Sequence, residues 1–181
     1  LETQSPIPPI QQKITLPFNT VMSMLRTSDG RYWFATDGDG LWFTDDSISP
    51  TARFKSLVPY GELQAEMKKI YTLKEGINGG IWFGTQNSGI WHYNRHSDEC
   101  VIFSGDIGLP TEVCSSFEEG EDGTLYVGTD GNGLYAISPD RREITHYNLP
   151  GNNITGLNRQ GNHLLTATWG AGLLDFDIQS G

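Results

Sequence analysis

The pattern of hydrophobic and polar positions in this chain repeats. Residues 80–91 read GIWFGTQNSGIW: apolar, then small and polar, then apolar again. Aligned copies are YWFATDGDGLWF (32–43), IWFGTQNSGIWH (81–92), LYVGTDGNGLYA (125–136) and LLTATWGAGLLD (164–175). Each is anchored on a threonine, Thr36, Thr85, Thr129 and Thr168, at spacings of 49, 44 and 39 residues, with a glycine four positions later. Each copy predicts a hairpin: β-branched and aromatic residues form one strand, the glycine-containing tetrad reverses the chain, and a second apolar run returns. Upstream lie VMSMLR, KIYTLK, VCSSFE and ITGLNR, each closed by a turn signal (SDG, NGG, EDG, QGN). Downstream of the first three hairpins come ARFKSL, CVIFSG and REITHY.

Each unit is therefore four short strands, a to d, in up-and-down order. A period of about 40–50 residues with four strands per unit is the signature of a β-propeller blade. The expected organisation is all-β: a single propeller region over 1–181, with a strand d at 11–18, blade 1 at 20–58, blade 2 at 69–105, blade 3 at 112–148 and blade 4 at 153–177. The insertion GELQAEMKK, 61–69, lengthens the first spacing and has room for a helical turn or two. The fourth copy stops after strand c, and QKITLPF near the N-terminus aligns with a strand d. Either that strand completes the last blade and closes a four-bladed ring, removing exposed sheet edges, or the four blades are a fragment of a larger propeller.

Composition narrows the function classes. The 181 residues carry a net charge of −10 with no run of Lys or Arg, which argues against nucleic acid and against docking on anionic lipid. The longest apolar runs are a few residues, so direct membrane insertion of this segment is not expected. The chain does not start with Met and carries no signal peptide, and so reads as a mature product or an excised piece. Cys100 and Cys114 fall on an outer and an inner strand, too far apart for a disulfide, and both are expected to remain thiols.

The residues GLPTEVCSSFEEGEDGTLYVGTDGNGLYAISPDRREITHYNLP, 108–150, resemble the two-component regulator propeller repeat: Leu-Pro, a polar pair, an apolar strand, Asp-x-x-Gly, an aromatic-apolar-Gly-Thr step, then Gly-Leu. The resemblance runs from about residue 11 to 176 and is most specific in units two and three. Unit one has Ala35 at the usual glycine; unit four lacks the aromatic b strand and carries Trp169 in its turn. The resemblance implies the periplasmic sensor region of a Bacteroides-type hybrid two-component histidine kinase, signalling in response to oligosaccharides, with any kinase activity in a part of the parent protein outside these residues. The implied partners are an oligosaccharide and a homodimer partner or neighbouring propeller blades. No cofactor is implied.

Candidate site residues follow from the fold. In propellers the b–c turns and d–a connections share one face. Here those turns carry Asp37, Asp39, Asn87, Asp130, Asn132 and Trp169, and an indole beside carboxylates and amides suits sugar recognition. Turn chemistry alone also accounts for Asp, Asn and Gly there, and packing on a neighbouring blade would account for Trp169. Trp33, Trp42, Trp82, Trp91, Tyr126 and Tyr135 recur at equivalent slots and are expected between blades. Asp37-x-Asp39-Gly40 only faintly resembles a calcium loop, since the later ligands are missing, and no metal is expected. Glu118, Glu119, Glu121 and Asp122 are expected to form a solvated acidic turn. No histidine pair has metal-ligand spacing, neither cysteine has a local activator, and no serine sits in a nucleophile elbow, so catalysis is not expected. A ligand-sensing propeller is the leading reading, ahead of an interaction or dimerisation module without a small ligand, and then of a propeller lyase or glycosidase.

Overall fold

The computed structural model describes residues 14–57, 67–103, 108–109 and 114–180. Fifteen strands build four antiparallel sheets, each in sequence order. The first holds β1 (Val21–Arg26), β2 (Tyr32–Thr36), β3 (Leu41–Thr44) and β4 (Lys55–Leu57). The second holds β5 (Ile70–Glu75), β6 (Ile81–Thr85), β7 (Ile90–Asn94) and β8 (Glu99–Phe103). The third holds β9 (Cys114–Glu119), β10 (Leu125–Thr129), β11 (Leu134–Ile137) and β12 (Ile144–Tyr147). The fourth has three described strands, β13 (Ile154–Gln160), β14 (His163–Thr168) and β15 (Gly172–Asp177). This is a four-bladed β-propeller architecture. Strand a of each blade lies innermost, and the inner strands pack in the order β1, β5, β9, β13.

The repeated threonine and glycine have a local cause. Each anchor threonine donates its hydroxyl to the carbonyl of the glycine four residues on: Thr36 to Gly40 at 2.7 Å, Thr85 to Gly89 at 3.0 Å, Thr129 to Gly133 at 2.8 Å and Thr168 to Gly172 at 2.9 Å. In the first two blades the same oxygen accepts from the amide of the third residue on, Asp39 or Ser88. The threonine thus closes the b–c turn from inside, and the glycine turns back at positive φ, 70–79° in the four copies. Even the degraded fourth unit keeps this staple.

Three cores lie between the sheets and none within one. Trp33, Ala35 and Leu41 of the first blade meet Ile70, Leu73, Phe83 and Trp91 of the second. Trp82 and Ile90 meet Cys114, Phe117 and Val127, and Tyr126 and Leu134 meet Ile154, Leu164 and Phe176. The Gly-Thr step has its reason here. A Cβ at Gly84 would stand 2.6 Å from the Cys114 carbonyl, and one at Gly128 would stand 2.5 Å from Ile154 Cγ2. Strand b therefore approaches the next inner strand too closely for a side chain, except at the first junction, where Ala35 fits. Five of the recurring aromatics lie between blades as expected, Trp33, Trp82, Trp91, Tyr126 and Tyr135; Trp42 does not, and is half-buried against Phe18 on the outer face of the first blade, where no described blade precedes it.

One expectation changes. Of the strand expected at 11–18, residues 11–13 lie outside the described residues and 14–18 join no sheet. Pro17 has no amide to donate to a ladder, and Phe18 instead buries its ring against Phe34, Trp42 and Phe54 of the first blade. Among the described residues, strands of the first and fourth blades do not pack extensively on one another. The helical turn expected at 61–69 falls mostly outside the described residues; Met67 and Lys68 form a 3-10 turn. No disulfide joins Cys100 and Cys114, and burial raises their thiols to about 11 and about 12. Among the described residues no helix is long and apolar enough to cross a membrane.

Candidate functional site

The two ends of the blades are built differently. At the b–c end the first and third turns are fixed by the next blade's entry segment. Gly38 and Gly40 both donate to the Lys68 carbonyl, and Gly131 and Gly133 both donate to that of Asn152. Asp37 bridges to Lys69 and Asp130 to Asn153. The candidates Asp37, Asp39, Asn87 and Asp130 are exposed there, and Asn132 is half-buried. Much of their bonding is main-chain: the Asp39 carbonyl accepts the Trp42 indole N–H at 2.8 Å, and the Asn132 carbonyl lies 2.7 Å from His146 Nε2. Asp37 adds an exposed ion pair with Lys69 at 3.6 Å, of a kind worth little in water. Trp169 is 80% exposed, so its indole does not pack on the neighbouring blade within this chain. Its amide donates to the Asn153 carbonyl at 2.8 Å, which brings the fourth turn beside Asp130. The structure thus gathers the candidates on one face.

Two clefts open at the a–b end. One of about 330 Å³ lies between three blades and is lined by Ser28, Lys74, Glu75, Ile77, Glu118 and Glu119, with Gly76 and Gly79. Its walls are held by a repeated clamp. The last residue of strand a is Glu75 in blade two and Glu119 in blade three, and each reaches back to the previous blade's a–b turn. Glu75 accepts the Ser28 amide and hydroxyl, both at 2.8 Å, and Glu119 accepts the Ile77 amide at 2.8 Å. An arginine from the blade's own c–d turn holds each glutamate from behind: Arg95 to Glu75 at 2.9 Å and Arg141 to Glu119 at 3.2 Å. Arg95 also pairs with Asp29 at 2.7 Å and donates to the Gly79 carbonyl. Arg141 lies 4.9 Å over the Trp82 ring. Lys74 meets both oxygens of Glu118 at 2.9 Å.

The acidic turn expected to be solvated is therefore corrected at two of its four members. Glu118 and Glu119 are largely buried, neutralised by Lys74 and Arg141, while Glu121 remains exposed. Burial and the Arg141 charge lower the His92 pKa, partly offset by Glu119. A smaller cleft of about 170 Å³ lies between the third and fourth a–b turns, where Arg159 pairs with Glu121 at 3.2 Å. The clamp had a sequence signal that motif reading passed over: a glutamate closing strand a in units two and three, with an arginine 20 and 22 residues later. Chemically, the main cleft offers carboxylate oxygens and one half-exposed ammonium, groups that exchange hydrogen bonds with hydroxyls. No group of three or more His, Cys, Asp or Glu among the described residues could hold a metal ion.

Residues 15–38 match the family model of the two component regulator propeller, the repeat family that the motifs resemble. The matched repeat is the first unit, with its alanine in the Gly-Thr step. No curated protein matches. Among solved structures the chain is similar to PorZ, a bacterial surface component of the type-IX secretion system of Porphyromonas gingivalis: TM-score 0.69, 19% identity, 88% of this chain and 26% of that one. It is similar to the extracellular domain of BT3049, a proposed hybrid two component system of B. thetaiotaomicron: TM-score 0.66, 18% identity, 93% of this chain and 30% of that one. It is also similar to virginiamycin B lyase of Staphylococcus aureus: TM-score 0.59, 18% identity, 87% of this chain and 55% of that one. These likenesses establish the fold. The chain spans less than a third of the first two structures.

Proposed function

We propose that this chain is a ligand-sensing propeller from the periplasmic part of a hybrid two-component histidine kinase, and that it takes an oligosaccharide. The observation that carries the reading is a pairing: the repeat-family match at 15–38, on a fold shared with the extracellular domain of BT3049. In such a receptor the propeller does no chemistry. A ligand shifts the receptor between states only by binding one more tightly than the other, and propeller faces that join several blades are suited to register that difference. The exposed Trp169 indole, with Asp130 nearby, offers a sugar-stacking platform on the b–c face, and the polar cleft around Lys74 and Glu118 offers a second seat.

Isothermal titration with a panel of oligosaccharides tests this. Saturable binding is expected, weakened at least about tenfold, or 1.4 kcal/mol, by Trp169→Ala. Binding that survives Trp169→Ala but is lost in Lys74→Ala moves the seat to the a–b cleft. Absence of binding to every glycan favours the second reading, an interaction module without a small ligand. The apolar side chains exposed on the two end blades support that second reading.

A further inference from the structure

We propose that the a–b cleft between the first three blades is a seat for an uncharged sugar unit with adjacent hydroxyls, and that its internal ion pairs exclude uronic, sulfated and amino sugars. This rests on the reading that the chain takes an oligosaccharide, and gives that ligand a charge class at a named site. Charge in the cleft is balanced. Glu75, Glu118 and Glu119 are already paired with Arg95, Lys74 and Arg141, at 2.9, 2.9 and 3.2 Å. The three acids are largely buried, with side-chain exposures of 20%, 12% and 8%. An entering carboxylate or sulfate reaches the Lys74 ammonium only by displacing Glu118, which leaves that acid without its counter-ion. An entering ammonium has to displace Lys74 from Glu118 in turn. Either exchange leaves one charge unpaired, so the cleft selects against ions of both signs.

Hydrogen-bonding capacity remains once the ion pairs are made. A carboxylate has about four lone-pair sites, and an ammonium has about three N–H donors. Among the described residues Glu118 accepts only from Lys74, once at each oxygen, and Glu119 accepts from the Ile77 amide and from Arg141. Each of these acids therefore keeps about two open sites, and Lys74 keeps about one N–H. Hydroxyls match this set because each one both donates and accepts. Adjacent hydroxyls can donate to Glu118 and Glu119, which both line the cleft, while one of their oxygens accepts from Lys74. Ile77, 60% exposed on the cleft wall, supplies an apolar surface for the C–H face of the ring. Space agrees. The volume of about 330 Å³ lies at the low end of the range of about 300–1,000 Å³ for ligand sites, which suits a short sugar and not a long chain. Gly76 keeps part of that wall slim. Its φ is not positive, yet a Cβ there would stand 3.1 Å from Glu119 Oε2 and 2.9 Å from Trp82 Nε1, so the glycine is needed for room and not for its backbone.

Titration calorimetry on the Trp169→Ala chain, whose b–c platform has lost its indole, tests the cleft by itself. The probes are neutral disaccharides of glucose, galactose and mannose, each beside its uronate and amino-sugar counterpart. At least one neutral disaccharide is expected to saturate, with its charged counterparts at least about tenfold weaker. Ile77→Ala changes an exposed side chain, so it should weaken the neutral ligand and leave the melting temperature unchanged. The decisive arm inverts the charge selection. Glu118→Gln frees the Lys74 ammonium, and should weaken the neutral ligand while tightening the matching uronate about tenfold. Lys74→Met frees the Glu118 carboxylate, and should do the same for the matching amino sugar. A purely structural loss would not shift selectivity in opposite directions. Glycan binding to the wild-type chain that Trp169→Ala abolishes overturns the cleft and leaves the oligosaccharide reading standing. Charged sugars bound as tightly as neutral ones, or a selectivity that neither charge variant inverts, overturns the charge selection. A wild-type chain that binds none of the probes overturns both readings.

Discussion

Met24 and Leu73 hold the same place on successive inner strands, yet one is 62% exposed and the other 9%. Among the described residues no sheet packs against Met24 at the edge of the first blade, and Leu73 lies in a core built jointly by two blades. The same contrast separates Leu173 from Leu41 at the opposite end. A blade is thus not a stable unit by itself. Each sheet is apolar on both faces, and its stabilisation comes from the neighbour, so the junctions between blades carry the energy.

The largest effect should come from Leu73→Ala, which empties a buried slot in the first junction and should cost about 2–5 kcal/mol. Met24→Ala at the equivalent end slot should stay within about 0.5 kcal/mol. Urea unfolding in dilute solution measures both, and equal costs would remove the contrast. Gly84→Ala comes next. Its methyl would meet the Cys114 carbonyl at 2.6 Å, and the overpacking should cost about 1–3 kcal/mol, although Ala35 occupies the same slot one blade earlier without strain. Thermal melting of the variant reads this directly, and an unchanged midpoint would show that the second and third blades can part as the first two have.

Glu119→Ala removes the clamp at the second junction. It leaves Arg141 without its carboxylate and the exposed Ile77 amide to water, at a cost of about 1 kcal/mol, while Glu121→Ala on the exposed side of the same turn should be silent. Denaturant midpoints of the two variants measured in parallel separate these outcomes. The smallest effect concerns acid. His92 has its pKa lowered from 6.5, so the folded state favours the neutral ring and binds fewer protons than the unfolded chain. Its contribution is fully present above about pH 6.5 and is lost as pH falls through that value towards the folded pKa. His92→Gln should flatten the stability-versus-pH curve in that window, and an unaltered slope would place the acid sensitivity elsewhere.

Much of the fold was legible because blades are local. The strand expected at VMSMLR is β1 residue for residue, that expected at KIYTLK is displaced by one, and the described part of VCSSFE lies in β9. The Thr-x3-Gly spacing pointed to hairpins whose turns the threonine hydroxyl closes. The b–c face was legible to the same degree, since turn residues must lie where turns lie. Glu118 and Glu119 were misread as solvated for the opposite reason. Their neutralising partners, Lys74 and Arg141, come from the preceding blade and from a c–d turn of their own blade, and neither is adjacent in sequence. Of the strand expected from QKITLPF only 14–18 are described, and there the period-2 pattern did not reveal that Phe18 packs on Phe34, Trp42 and Phe54.

By itself, then, the sequence determined the repeat, the hairpins and the stacking of apolar faces, because each follows from side-chain alternation and turn chemistry within about 40 residues. The tertiary structure decided which carboxylates are buried, where the clefts open and which apolar slots remain uncovered. Those depend on how one blade is rotated against the next, a relation set by the summed packing of two whole sheets and by no short stretch of either.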